Sequence, residues 1–343
     1  MTDLDVSPDQ RSAREVLHWS RAGVDPALRA AVDRLPESMR AIVGYHFGWW
    51  DERGEPIGAD AGKAIRPALV MLGAQAVGGS VDAALPAAVA VEMVHNFSLL
   101  HDDVMDGDTT RRHRRTAWHV FGVNPAILAG DSLLTSAVDV LAGSGHPQAQ
   151  QAIRVLSAAV QQLLDGQSAD LAFEERADVG LAECVRMAER KTGSLLGASC
   201  ALGALFGGGL PEQVEHLRSF GERVGLAFQF VDDLLGIWGD PEVTGKPVYS
   251  DLVNRKKSLP VVAALTSGTR AGRELDAMYH SDRPLDPARA AELIETSGAR
   301  VWAQGRADDL LARARQHLKA ARPADRAARE LEAVARLATR RDH

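Results

Sequence analysis

Apolar residues recur in this chain at steps of three and four, as in "ALPAAVAVEMVHNFSLLHDD" (84–103) and "HLRSFGERVGLAFQFVDDLLGIW" (216–238), while sustained alternation with period two is almost absent. That spacing lines one face of a helix and would scatter apolar side chains over both faces of a strand, so the chain is expected to be all-α. Turn-forming clusters interrupt the pattern at "DERGEPIGADAG", "VGGSVDAALP", "GSGHPQ", "GGGLPEQ", "GDPEVTGKPVYSD" and "SDRPLDP". Helices and connections of ordinary length between such breaks predict about a dozen helices. None of the breaks is long enough for a linker, and with 343 residues, 45% of them hydrophobic, one sizeable core is within reach. The expected organisation is a single helical-bundle domain over 1–343.

A net charge of −7 supplies no general basic field, so no nucleic-acid partner is expected. Cys184 and Cys200 stand apart, without disulfide or zinc spacing, which fits a reducing cytoplasm. The start, "MTDLDVSPDQRSAREVLHW", is acidic and polar and lacks the order of a secretory signal. One uncharged run, "TGSLLGASCALGALFGGGL" (192–210), is nearly long enough to cross a bilayer. Its small residues suit close helix packing and it ends in a "GGGLP" stop, so a buried helix is expected and no membrane span. The Ala/Arg-rich end after Gly305 reads as a solvated helix held by pairs such as Arg326 and Glu330.

The stretch "LLHDDVMDGDTTRRHRR" (99–115) places four aspartates ahead of four arginines. Asp102 and Asp106 share a helix face at i,i+4, with Asp103 alongside. Carboxylates that close repel, whereas a divalent cation turns repulsion into coordination; Mg²⁺ suits them because it shares its shell between a few carboxylates, waters and phosphates. Arg111 and Arg112 follow, and their planar forks match phosphate oxygens. The bland alternative is a solvated loop whose charges neutralise one another. A second apolar, Phe-containing helix, "AFQFVDDLLG", runs up to Asp232 and Asp233, and in a bundle two such helix ends are able to form halves of one site.

From about Gly62 to Pro260 the chain resembles the trans-isoprenyl diphosphate synthases, the polyprenyl synthetase family. The resemblance rests on an ordered set: "GKAIRP" (62–67), "HDDVMD" (101–106), "RRHRRTAWH" (111–119), "AGDSL" (129–133), "GQSADL" (166–171), "KTGSLL" (191–196), "FQFVDDLLG" (228–236), then "TGKP" and "KKSLP". It implies an all-α bundle around a deep central cavity, and a prenyltransferase that joins isopentenyl diphosphate to an allylic diphosphate. By position, Lys63, Arg66, His95 and Arg112 match residues that hold isopentenyl diphosphate. Arg111, Lys191, Thr192, Gln229, Lys246 and Lys256 match those facing the allylic diphosphate. Asp102, Asp106 and Asp232 match Mg²⁺ ligands, three ions being expected with substrate bound, and Asp103 and Asp233 belong to the same catalytic motifs. A homodimer and a cytoplasmic location are implied as well.

The chain departs from the family pattern in places. His113 and Arg115 stand where a glycine and a proline are usual, which implies a changed loop with both phosphate-facing arginines kept. The second acidic motif reads DDLLG, with Gly236 at its third aspartate position. Since that position acts mainly through water in the family, Asp232 is expected still to ligate metal, Asp240 to substitute if the helix continues, and Gly236→Asp to be tolerated or beneficial. Product length is expected to depend on Phe97 and Ser98, the fifth and fourth positions before Asp102. A lone aromatic at the fifth resembles synthases making geranylgeranyl diphosphate (C20), with farnesyl diphosphate (C15) second. The alternatives are a class I terpene cyclase, which lacks a second-substrate site, and a non-catalytic regulatory relative, suggested by Gly236.

Overall fold

The protein is described by a computed structural model over residues 11–59, 62–241, 248–281 and 283–339. Among these residues there are sixteen α-helices, one π-helical turn and a single two-stranded hairpin, so the chain is all-α. The count exceeds the expected dozen because short helices, such as Ala117–Phe121 and Ser250–Val253, add to those of ordinary length.

Two compact units are formed, and each is built from separate parts of the chain. The first takes 11–157, 198–218 and 318–334. It contains α1 (Ala13–Val32), α2 (Glu37–His46), α3 (Ile65–Ala76), α4 (Val81–Met105), α5 (Ala117–Phe121) and α6 (Val123–Ala142). Helix α1 starts in a capping box: Glu15 N–H donates to Ser12 Oγ at 3.3 Å while Ser12 N–H donates to Glu15 Oε2 at 2.7 Å. Helix α4 begins at the N-cap Ser80 and is buried along most of its 25 residues, so its acidic end is anchored by an apolar rod. Two strands, β1 (Thr110–Arg111) and β2 (Arg114–Arg115), pair antiparallel just after it.

Into this unit also falls most of α9 (Ser194–Phe206), which carries the long uncharged run. At 13 residues it is far shorter than the roughly 20 needed to cross a bilayer. A β-carbon on Gly73 would lie 2.9 Å from Cys200 O, and one on Gly203 would collide with Val70 O, so the small residues serve contact between α3 and α9. By length and composition α4 and α6 do qualify as spans; the α4 window is 72% buried within the protein, that of α6 33%.

The C-terminal helix α16 (Asp325–Thr339) departs from the expected solvated tail. Arg326 does donate to Glu330, at 3.1 Å, but Glu330 is fully buried and also receives Arg11 Nε at 3.0 Å. Leu331 and Val334 are buried beside it, so the helix is docked.

The second unit takes 158–197, 219–317 and 335–339. Within it lie most of α7 (Ala149–Glu175), α8 (Leu181–Ala188), the π-helical turn Glu189–Gly193, and the C-terminal part of α10 (Pro211–Trp238). They are followed by α11 (Ser250–Val253), α12 (Leu259–Leu265), α13 (Arg270–Tyr279), α14 (Pro287–Thr296) and α15 (Ala299–Ala320). One core centres on Phe173, Leu226, Phe230, Leu259 and Leu310, a second on Ile237, Leu252, Leu275 and Ile294.

Candidate active site

In the first unit, α4 delivers the acidic motif at its last turn. Asp102 is half-buried and Asp106, the C-cap, is exposed; the Asp106 N–H donates to Asp102 O at 2.8 Å, which keeps the two side chains one turn apart. Asp103 turns the other way. It is 1% exposed and its Oδ1 accepts from Arg111 Nε at 2.6 Å. Burial pushes its carboxyl up to about 6, opposed by Arg111.

Two turns back on α4, His95 is kept neutral by burial first and then by the charges of Arg66, Arg112 and Arg111. Burial likewise lowers Arg66 to about 10, against the pull of Glu92, and burial raises Glu92 in turn. Asn96 joins this set, donating to Glu92 O at 2.8 Å and accepting from His46 Nε2 at 3.2 Å. Arg112 packs over Gly62, whose carbonyl accepts from Arg21, while Lys63 is exposed at the entry to α3. Arg66 Nε and Asp103 Oδ2 are both buried without a hydrogen-bond partner, an uncommon state for polar atoms. The structure thus brings Arg66, His95, Arg111, Arg112 and the acidic end of α4 into one region.

Phe97 and Ser98 face inward. Phe97 is 3% exposed with its ring edge-on to His101, centroids 4.7 Å apart, and Ser98 Oγ donates to His95 O at 2.8 Å.

In the second unit the expected residues form a continuous chain of contacts. Lys191 Nζ meets Asp170 Oδ2 at 2.6 Å. Thr192 Oγ1 donates to Gln229 Oε1 at 2.6 Å, Gln229 Nε2 donates to Asp233 Oδ1 at 2.8 Å, and Leu259 N–H donates to Asp233 Oδ2 at 2.9 Å. Lys191 and Thr192 lie in the π-helical turn, a distortion that often accompanies function. Gly166 makes room for that turn: a β-carbon there would sit 2.8 Å from Lys191 Cα.

Asp232 is half-buried and Asp233 is 4% exposed, repeating the pattern of the first motif. Burial raises the Asp233 carboxyl to about 6, with Lys256 opposing. Burial also works against the charge on Lys256, but Asp233, Asp251, Asp170 and Asp232 outweigh it and hold the ammonium firmly protonated. Lys246 and the "TGKP" segment lie outside the described residues.

Gly236 lies directly against Asp251. A β-carbon there would lie 2.5 Å from Asp251 Cγ and 2.7 Å from its Oδ1, so no side chain fits while Asp251 keeps its place. The expected tolerance of Gly236→Asp therefore requires the Asp251 side chain to move aside. Asp240 does not extend the motif either, because α10 ends at Trp238. Asp251 is remote along the chain, and no local spacing ties it to Gly236. Gln167, within "GQSADL", is 3% exposed and neither amide atom has a hydrogen-bond partner.

Among the described residues no three His, Cys, Asp or Glu side chains converge closely enough to cage a metal by themselves. Asp102 with Asp106 in the first unit, and Asp232 in the second, are oxygen donors of the sparse kind that suits an ion completing its shell with water and phosphate.

A family model described as "Polyprenyl synthetase" matches residues 49–297. The chain is 50% identical over 305 residues to the (2E,6E)-farnesyl diphosphate synthase of Mycobacterium tuberculosis, covering 87% of this chain and 84% of that one. It is 45% identical over 300 residues to the geranylgeranyl diphosphate synthase of the same organism, covering 86% of each. The crystal structure of a polyprenyl synthetase from Streptomyces coelicolor superposes with a TM-score of 0.90 at 44% identity, covering 94% of this chain and 98% of that one.

Proposed function

Because the chain belongs to the polyprenyl synthetase family of prenyltransferases, we propose that it condenses isopentenyl diphosphate with an allylic diphosphate, in the presence of Mg²⁺, to a short-chain trans-prenyl diphosphate. The observation that carries this is the shared design of the two acidic motifs. In each, the first aspartate is half-buried and the second is turned inward onto groups that hold cationic or polar side chains.

In this account Lys63, Arg66, His95 and Arg112 bind the diphosphate of isopentenyl diphosphate, with His95 neutral and acting as a hydrogen-bonding partner. Arg111, Lys191 and Lys256 bind the allylic diphosphate, with Lys246 expected to join them. Asp102, Asp106 and Asp232 hold Mg²⁺, which when bound neutralises the diphosphate and makes it a better leaving group. Asp103 and Asp233 act as positioning residues, through Arg111 and Gln229 respectively. Cationic side chains fixed before the reaction stabilise charge growing on the departing pyrophosphate without reorganising, so the allylic C–O bond breaks more easily. Thr192 and Gln229 lie beside the allylic-diphosphate groups, and apolar walls exclude water from the cation. The double bond of isopentenyl diphosphate forms the new C–C bond, and the proton lost from it passes to the pyrophosphate.

We favour a C20 product, because Ser98 is small and Phe97 turns its ring onto His101. C15 is the second reading, supported by the 50% identity to a farnesyl diphosphate synthase. We further read the chain as one catalytic domain, since the family match runs through parts of both units, and as a cytoplasmic homodimer; α6 leaves Val123, Leu128 and Val138 exposed. Purified protein given isopentenyl diphosphate, an allylic diphosphate and Mg²⁺ should yield elongated prenyl alcohols after dephosphorylation, and none when EDTA is added. A cyclised hydrocarbon, or no product, would overturn the proposal.

A further inference from the structure

The four arginines after α4 look alike in sequence, yet they do different things. Arg111 bonds Asp103 and Arg112 lies over Gly62, whereas Arg114 reaches back to the end of α2. Its Nη1 donates to Tyr45 O at 2.9 Å, its Nη2 to Trp50 O at 3.3 Å, and its guanidinium lies 4.3 Å from the centre of the Tyr45 ring. The Tyr45 hydroxyl returns the contact, donating to Arg115 O at 2.8 Å. Gly48, at φ +74°, leaves room for this: a β-carbon there would lie 3.3 Å from Arg114 Nη1 and 2.9 Å from the Ala59 β-carbon.

What the clamp restrains is a hairpin turn of unusual composition. Thr110 pairs with Arg115 and Arg111 with Arg114, so Arg112 and His113 alone form the loop, at φ +51° and +61°. Two-residue loops with both residues left-handed ordinarily use Asn-Gly, Asp-Gly or Gly-Gly, because a side chain there is strained. Arginine and histidine do not hold such a turn unaided, and the surroundings must over-determine it.

We propose that Arg114, together with Tyr45, is a positioning residue for the reaction. It holds the strained Arg112–His113 turn so that Arg111 and Arg112 stay beside the acidic end of α4, and it does not itself bind diphosphate. This rests on the proposed function above for the roles of Arg111 and Arg112. It also gives the departure at His113 a physical compensation within the same segment.

The test compares Arg114→Ala, Arg114→Lys, His113→Gly and the double variant His113→Gly/Arg114→Ala. The readouts are KM and kcat for isopentenyl diphosphate, thermal unfolding, and calorimetric binding of inorganic pyrophosphate. Arg114→Ala should raise KM about tenfold or more and weaken pyrophosphate binding to match. Arg114→Lys should recover little, since one ammonium cannot span two carbonyls while stacking on a ring. Adding His113→Gly to Arg114→Ala should restore KM to within about threefold of wild type, because glycine adopts the turn without strain. A folded Arg114→Ala with wild-type KM and pyrophosphate affinity overturns the proposal. So does failure of the glycine to rescue, which would mean that Arg114 meets the ligand directly. Should Arg114→Ala not fold, Tyr45→Phe, which removes only the bond to Arg115 O, must raise KM measurably or the proposal fails. If wild type binds pyrophosphate but does not condense substrates, the proposed function fails and the pyrophosphate data still decide the role of Arg114.

Discussion

The carboxylate of Asp251 occupies the volume that a side chain on Gly236 would fill, with its Cγ 2.5 Å from where the β-carbon would stand. Asp251 is 9% exposed, so moving its carboxylate disturbs a largely buried group. Gly236→Ala should therefore cost about 1–3 kcal/mol by overpacking. Gly236→Asp should cost more, since it adds a like charge next to the first. Pairing Gly236→Asp with Asp251→Gly should recover part of the loss. Urea midpoints of the variants decide the matter, and a Gly236→Asp protein as stable as wild type would mean that Asp251 moves freely.

The two members of the first aspartate pair should behave differently. Asp102→Ala is expected to reduce turnover by about a thousandfold or more while leaving thermal unfolding close to wild type, as befits a half-buried carboxylate at a helix end. Asp103→Ala removes the buried partner of Arg111 and should lose about 1.5–3 kcal/mol of stability along with activity. Parallel activity and denaturation measurements separate them, and near-normal elongation by a folded Asp102→Ala would refute its assignment to metal.

His46 makes stability depend on pH. Burial, then Arg112 and Arg111, lower its imidazole to about 3, from about 6.5 in an unfolded chain. Below pH 6.5 the unfolded chain takes up a proton that the native state refuses, so stability falls as pH drops from 6.5 towards 3. The slope approaches about 1.4 kcal/mol per pH unit for this one group. Replacing it in His46→Gln should flatten the decline between pH 6 and 4.5 by about that slope. Denaturation midpoints across that range test it, and an unchanged slope would show that His46 titrates normally.

Chain length should respond to α4. Phe97→Ala removes a ring packed on His101 and is expected to shift products beyond C20, whereas Ser98→Phe should shorten them towards C15. Chromatography of the dephosphorylated products decides this. An unchanged distribution in both active variants would place the limit on other helices.

Much of this molecule was legible one residue at a time. The three- and four-step periodicity specifies helices because it is a property of the backbone repeat, and the acidic and basic motifs announce phosphate and metal chemistry because charge that dense is costly without a counter-charge. The i,i+4 relation of Asp102 and Asp106 survives intact since it lies within one helix turn. Long-range partners were not legible. That Asp103 and Asp233 turn inward, that Lys191 and Thr192 sit in a π-turn, and that Glu330 is buried under Arg11 depend on which elements pack together.

The sequence by itself determined the helical class, the family and the identity of the charged groups, because each is written in local spacing and residue type. Only the tertiary structure decided which of those groups face a ligand and which hold their neighbours. Arg114 and Arg112 are two residues apart and chemically identical; one is committed to the carbonyls of Tyr45 and Trp50 and the other lies over Gly62. Gly236 looks like a missing aspartate until Asp251, fifteen positions on, is seen to fill its space. In both cases the outcome depends on excluded volume and on hydrogen bonds between segments distant in sequence, which no local pattern encodes.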